Sequence, residues 1–394
     1  MNTRKNFIDI DHYQLNKNKN VVCGDVFLSK KIKEEGKIIA VLSDGLGSGI
    51  KANVLATMTA SMALNFTSNN SPIQHTAEII SNTLPIDSER QISYATFTII
   101  DIDYDSETKI INYDNPDFLL LRNQKFIPIP ENSIEINILG KNKKMYSFDF
   151  KIQKEDRIIV FTDGVSQSGI GNTNMAFGWG IDNVKIFIID LINKYKFISS
   201  HDLAKKIVNQ ANNNDILKPR DDISCAVLYF REPRKLLICT GPPFNKFDDN
   251  KLGSIIKKYN GKVIISGGTT SQIVSRLFNK EIHVGLTLDH SGLPPIAKME
   301  GIELVTEGIL TLGKVSEILQ NINTTEVNGE GAAVEIIKNI FNNDIIEFVV
   351  GTKINNAHQD PNLPVELEIR RNVVKKIIKI LEEKFLKEIN LHFI

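Results

Sequence analysis

Two acidic residues in this chain close apolar, strand-like runs and are each followed by glycine: Asp44-Gly45 after KIIAVLS, and Asp163-Gly164 after RIIVFT. A single Asp-Gly step is a weak signal, because it is also a favoured turn sequence. Two more acidic positions share the placement. Asp25, in CGD, lies one strand earlier, and the pair Asp221 and Asp222, in PRDDIS, directly precedes the apolar run SCAVLYF. Carboxylates carried to one end of a sheet by several strands build an oxygen-rich site suited to hard divalent cations such as Mg²⁺ or Mn²⁺. A glycine after the acid lets the backbone turn closely, which makes the Gly45 carbonyl a further oxygen donor. No His/Cys set with zinc spacing competes for the role.

Bringing these residues together requires strands that end at a common edge. From Val21 to Phe230 short β-rich runs alternate with turns, and KIIAVLS, ATFTIIDID, KIINYDN, FLLLRN, RIIVFT and SCAVLYF all read as strands. Helices are inserted among them. Ile50, Val54, Leu55, Met58 and Met62 fall at helical spacing and predict a helix that packs Met58 and Met62 into the core; Ile73–Leu84 is a shorter one. Another pair is expected around Val184–Tyr195 and Asp202–Asn212, before the last strand. Pro128 and Pro130, in RNQKFIPIPENS, argue for an edge or a connection, since a central strand would lose ladder hydrogen bonds there. Lys51, in the first turns of its helix, reads as solvated in preference to a phosphate contact.

Past the polar stretch REPRK the rhythm changes to strand, loop, helix, which indicates a second domain with a mainly parallel sheet and places the boundary at Arg231–Lys235, between residues 1–232 and 235–394. Strands KLLICTGPP, KVIISGGTT and IIEFVVG are expected there. Helices are expected near Lys251–Tyr259, Gln272–Phe278, Lys314–Ile322, Gly331–Phe341 and, long and amphipathic, Val365–Lys387. Glycine-rich turns follow three of the strands, at Thr240–Pro243, at Gly267, Gly268, Thr269 and Thr270, and at Gly351-Thr352. In a parallel sheet they gather at the carboxyl edge, where SGGTTSQIV, leading into a helix, presents amides and hydroxyls to an anion. No Gly-Lys-Ser/Thr follows, so this is not a Walker loop, and turn geometry with helix capping accounts for the same residues. Glu300, Glu307, His358 and Asp360 are candidates to line a pocket, whereas His283 and His290 read as surface or capping residues.

Length and composition bound these readings. At about 150 residues per domain, 394 residues make two or three units, and 42% hydrophobic with 24% charged residues is a globular mixture. Lys+Arg and Asp+Glu are both 47, so no phosphate-backbone footprint covers the protein and nucleic acid is not an expected partner. No apolar run approaches the roughly 18–20 residues that span a bilayer, and MNTRKNFIDIDHYQ lacks a signal-peptide core, so a cytoplasmic location is expected. Cys23, Cys225 and Cys239 are too few and too scattered for a disulfide framework and read as buried packing residues.

The motifs GD at 24–25, SDGLGSGIKANVLA at 43–56, TDG at 162–164 and RDDIS at 220–224, in that order, resemble the SpoIIE family of bacterial PP2C-type serine/threonine phosphatases. DGLGSGIKA is the most specific of them. The resemblance implies an α/β/β/α sandwich with a binuclear Mn²⁺ or Mg²⁺ centre between its sheets. It assigns Asp44 as the bridging ligand, Gly45 as a carbonyl ligand, and Asp25, Asp163 and Asp221 as the remaining catalytic ligands. Asp222 falls at the margin of the set, with an exchange of roles with Asp221 left open. It implies a water activated by the two ions as the attacking group, with no protein nucleophile. Leu46 stands where many eukaryotic PP2C enzymes carry histidine, which leaves the general acid unassigned. The implied substrate is phosphoserine or phosphothreonine on a bacterial regulatory protein, a STAS-type anti-anti-sigma factor in relatives. Movement of the segment Gly47–Phe66 is a further implied means of setting metal affinity.

Three functions compete. The first is this metal-dependent phosphatase, favoured because Asp25, Asp44, Asp163 and Asp221 are all retained. The second is an inactive phosphatase-fold scaffold or sensor that binds a small anionic ligand through the second domain; the third places the main reaction in that domain. If the domains are coupled, ligand binding to the second changes turnover in the first. The oligomeric state, a homodimer among the options, is left open.

Overall fold

The computed structural model describes residues 7–32, 35–83, 95–103, 105–138, 141–172, 175–285, 292–322, 325, 327–353, 364–385 and 387–394. It divides into two compact units, Met1–Glu232 and Pro233–Ile394.

The first unit is built on apolar strands with two buried faces. In Lys37–Gly45 successive side chains point to opposite sides, and both sides are apolar. Ile39 and Val41 pack outward under helices, while Ala40 and Leu42 point inward to a second sheet. This strand belongs to a six-stranded antiparallel sheet ordered Asp25–Ile32, Lys37–Gly45, Ala95–Ile102, Glu107–Tyr113, Lys141–Lys151, Asn132–Ile138. The second sheet runs Phe7–Leu15, Ile223–Arg231, Arg157–Phe161, Leu119–Arg122, Lys125–Phe126. Ile158, Val160, Ala226 and Leu228 of that sheet meet Ala40, Leu42, Ile100 and Ile110 of the first in the middle layer. Helices Ile50–Ser68 and Ile73–Thr83 cover one outer face; Ile181–Lys194 and Ser200–Asn214 cover the other. The result is a four-layer α/β/β/α sandwich, the PP2C-like architecture.

One packing expectation is overturned. Met58 is 44% exposed and Val54 50%, and the buried face of Ile50–Ser68 is instead Ala52, Leu55, Ala56, Thr59, Ala60 and Ala63. Met62 is half-buried against the cluster. The helix is apolar on more than one side, so periodicity alone does not choose its inner face; the alanines do, because their small side chains let the helix lie close to the sheet. The strand Phe7–Leu15, outside the expected β pattern, pairs with Ile223–Arg231 along its whole length. Lys125–Phe126 is a two-residue edge strand, and Pro128 and Pro130 lie beyond it.

The second unit holds a seven-stranded sheet. Its parallel part orders Ile302–Thr306, Lys262–Ser266, Lys235–Thr240, Ile345–Val350 and Glu388–Phe393, and the short strands Ala297–Met299 and His283–Val284 add an antiparallel edge. The C-terminal helix runs Pro364–Glu383, ending a turn before the expected Lys387, and is followed by the strand Glu388–Phe393, which is not among the expected strands. Gly268, Thr269 and Thr270 form the first turn of the helix Gly268–Phe278, not a loop before it. All three cysteines are buried and unpaired. Among the described residues no helix is long and apolar enough to cross a membrane.

Candidate active site

Register brings the acidic residues together. Asp25 opens its strand and stands directly opposite Asp44, near the end of the adjacent one. In the other sheet Arg157–Phe161 runs antiparallel to Ile223–Arg231, so Asp163, just after the first, and Asp221, just before the second, emerge at a common end. A threonine that sequence reading passed over links the two sheets. Thr162 Oγ1 accepts from the Ser224 amide at 3.1 Å and donates to Asp25 Oδ2 at 2.9 Å, with both side chains fully buried. It fixes the orientation of the most deeply buried carboxylate.

The glycines serve close approach. A Cβ on Gly45 would stand 2.1 Å from the Ala52 carbonyl oxygen, and one on Gly164 the same distance from the Asp222 carbonyl oxygen. Neither backbone atom can move far without shifting its helix or strand, so these two steps need glycine for space and not only as turn formers. Asn53 Nδ2 donates to the Cys23 carbonyl at 2.8 Å, tying the head of the covering helix to the segment that carries Asp25.

Four carboxyls sense one another across this edge. Asp44 is pushed up to about 10, chiefly by burial and then by the charges of Asp25, Asp163 and Asp221. Asp25 rises to about 7, mostly through burial, against the lowering effect of hydrogen bonds from Ser224 and Thr162. Asp163 and Asp221 are raised too, burial again leading, with Asp221 repelling Asp163. Buried like charges favour the protonated form, and a divalent cation would take the place of those protons. Lys17, which no motif flags, places Nζ 3.7 Å from Asp221 Oδ1. Its backbone amide donates to Asp222 Oδ1 at 2.8 Å.

Asp221 and Asp222 therefore differ in their surroundings. The Asp221 side chain is half exposed and belongs to the repelling group. Asp222 is buried, 4% exposed, and spends an oxygen on the Lys17 backbone, while its charge also helps to raise Asp25 and Asp221. Leu46 is half-buried and Lys51 exposed.

The acids share an edge but do not form a finished cage: among the described residues no three His, Cys, Asp or Glu side chains stand in cation-holding geometry. What fits divalent cations is the donor chemistry. All four groups are hard oxygen donors, their mutual repulsion favours a bound positive charge, and Asp25 Oδ1 is buried without any hydrogen-bond partner.

In the second unit Glu300 and Glu307 do not line a common pocket. They lie at opposite ends of the strand Ile302–Thr306; Glu300 pairs with Lys280 on the surface, and Glu307 Oε2 caps the next helix through the amides of Leu310 and Thr311. His283 is exposed beside Glu281. His290, His358 and Asp360 fall outside the described residues.

Comparison with known proteins places the first unit in a family. The model of the SpoIIE family, stage II sporulation protein E, matches residues 34–231. The phosphoserine phosphatase RsbX of Bacillus subtilis (strain 168) is 27% identical over 159 residues, spanning 39% of this chain and 73% of RsbX. Among solved structures, the PP2C phosphatase domain of SpoIIE from Bacillus subtilis, with a fragment of its regulatory domain, aligns at TM-score 0.48 and 16% identity. That alignment covers 58% of this chain and 65% of the SpoIIE chain. RsbX in complex with magnesium aligns at TM-score 0.39 and 21% identity over 57% of this chain and 95% of that one.

Proposed function

The chain belongs to the SpoIIE family of PP2C-type phosphatases, and from that premise we propose that its first unit is a metal-dependent phosphatase acting on phosphoserine or phosphothreonine of a bacterial regulatory protein. The observation that carries this reading is the in-register pair Asp25 and Asp44, facing Asp163 and Asp221 from the opposing sheet, with all four carboxyls raised. The similarity to RsbX, a phosphoserine phosphatase, supports the same substrate chemistry, and a STAS-type anti-anti-sigma factor is the substrate class we favour.

Asp25, Asp44, Asp163 and Asp221, with the Gly45 carbonyl, would hold two divalent cations, Mn²⁺ or Mg²⁺. Bound there, such ions supply a Lewis-acid field that lowers the proton affinity of water and offsets charge on the phosphoryl oxygens. The chain's own residues prepare the site. Thr162 holds Asp25 in one orientation. Asp222 anchors the segment that carries Lys17 and so places an ammonium group at the rim, close to Asp221, where it draws in an anionic substrate. Leu46 offers no proton, so the leaving alkoxide takes its proton from solvent.

The test is hydrolysis of a phosphoserine peptide by the full chain with and without Mn²⁺. Turnover that appears with the metal and disappears with chelator is expected; none under either condition makes the unit a binding scaffold. A paired substitution separates the adjacent acids. Asp221→Asn is expected to weaken Mn²⁺ binding about tenfold or more, the order of one lost or weakened ligand contact, and Asp222→Asn to weaken it less while loosening the Lys17 segment. Calorimetric titration giving the reverse order would exchange their roles.

A further inference from the structure

The parallel strands of the second unit are wound in two directions. The chain starts at Lys235–Thr240, proceeds one way through Lys262–Ser266 to Ile302–Thr306, then returns to the other side of its first strand at Ile345–Val350 and ends beyond it at Glu388–Phe393. Helices Asp249–Lys258 and Gly268–Phe278 pack in one core layer, and Ile309–Asn321, Ala332–Phe341 and Pro364–Glu383 in the other. The loops after Lys235–Thr240 and Ile345–Val350 therefore lead to opposite faces. Such a point, at the carboxyl ends of parallel strands, is where open α/β sheets bind ligands.

The residues at this edge are unusually free of side-chain bulk. Gly351 packs so tightly on the Gly241-Pro242 turn that a Cβ there would stand 2.2 Å from the Gly241 carbonyl oxygen; a Cβ on Gly267 would lie 3.8 Å from the Gly241 amide nitrogen. Beside that turn the helix Gly268–Phe278 begins. Its N-cap is Gly267, which offers no capping side chain, and its first turn holds no acidic residue. The Ser271 amide is bonded to the Gly267 carbonyl at 2.9 Å, so the amides ahead of it, of Gly268, Thr269 and Thr270, have no place in the helical ladder. In front of Gly268 there is open space, with nothing within 4 Å of a Cβ built there.

A helix head alone is common; what singles out this one is a buried hydroxyl aimed at it. Thr270 is fully buried, its Oγ1 has no hydrogen-bond partner, and that oxygen lies 3.3 Å from a Cβ built on Gly267, toward the head of the helix. Thr240, ending the first strand, has a buried, unpartnered Oγ1 too, but it follows Leu236 and Ile238 onto the other face of the sheet and takes no part here. A buried hydroxyl without a partner is costly, and the one on Thr270, beside amides outside the helical ladder, calls for an acceptor. Positive charge is present as well. Arg370 is buried, donates to the Gly351 carbonyl at 3.4 Å, and sets its guanidinium against Gly241.

We propose that the head of the helix Gly268–Phe278 binds the phosphate of a small phosphorylated metabolite. The amides of Gly268, Thr269 and Thr270 and the hydroxyl of Thr270 are its donors, and Arg370 supplies long-range charge. The inference is independent of the phosphatase reading, because it concerns only the second unit.

The test uses the full chain in chelator, so that a divalent-metal site does not contribute, with inorganic phosphate and ADP as probes in calorimetric titration. Both are expected to bind, ADP more tightly if the ligand is a nucleotide and equally if phosphate alone is recognised; either pattern upholds the site. Thr270→Val is close in shape and removes an unpaired hydroxyl, so it is expected to fold with an unchanged or higher Tm while weakening both probes at least tenfold. Thr270→Ser restores binding. Thr311→Val, which removes a comparable buried and unpartnered hydroxyl from the first turn of the neighbouring helix, leaves it unchanged. Failure of both probes at millimolar concentration, or equal binding by wild type and Thr270→Val, overturns the proposal.

Discussion

Asp44→Ala is expected to yield a folded protein whose hydrolysis of an aryl phosphate in saturating Mn²⁺ falls by about three orders of magnitude, a loss of roughly 4 kcal/mol of transition-state stabilisation. The size follows from its position. Asp44 faces Asp25 in register and feels the charges of Asp25, Asp163 and Asp221 together, so its removal weakens the hold on any cation shared among them. Folding survives for the same electrostatic reason. A carboxyl that burial and three like charges push up to about 10 must take up a proton for the metal-free chain to fold at neutral pH, and alanine takes that cost away. Asp163→Ala follows the same course with a smaller gain in stability, since its carboxyl is raised with fewer charges against it. Steady-state kinetics and circular dichroism on the two variants decide the matter, and wild-type turnover in either removes the binuclear assignment.

The acidic residues were legible in the sequence because each ends or opens a strand, and a sheet carries strand ends to a common edge. Asp25 and Asp44 are 19 positions apart in the chain yet directly opposed in the antiparallel register. The residues that tune them were not legible. Thr162 lies in the TDG motif without a role the motif reveals, Lys17 sits in no motif, and their roles depend on a contact between sheets and on a segment looping past Asp222. Met58 shows a different limit: helical spacing identifies an apolar stripe, but a helix rich in alanine has two candidate inner faces, and close packing on the sheet selects the smaller side chains. The strands Phe7–Leu15 and Glu388–Phe393 are edge strands of their sheets. The first is half-buried throughout and the second largely exposed, so neither carries the continuous apolar run that marks a central strand.

The same raised carboxyls make stability depend on pH with a sign that divalent metal should reverse. Asp25 and Asp44 titrate in the folded chain at about 7 and about 10, above the ordinary aspartate value of 3.8 that each regains on unfolding. Between these limits the folded state holds protons that the unfolded state has released. Stability is then greatest below about pH 4 as far as these groups are concerned, and it declines as pH rises from there through 7 toward 10. Each retained proton is worth up to about 1.4 kcal/mol per pH unit, or roughly 3 to 6 °C of Tm for a unit of this size. In chelator, the thermal transition of the phosphatase unit should accordingly fall from pH 5.5 to pH 8.5. With Mn²⁺ present the cation competes with those protons, binds more tightly as pH rises, and turns the decline into a plateau or an increase. Asp44→Asn should flatten the slope in chelator and abolish most of the Mn²⁺ response. A metal-free Tm that rises across this range, or a slope unaltered by Asp44→Asn, would mean that these carboxyls are not the repelling group that the sheet register brings together.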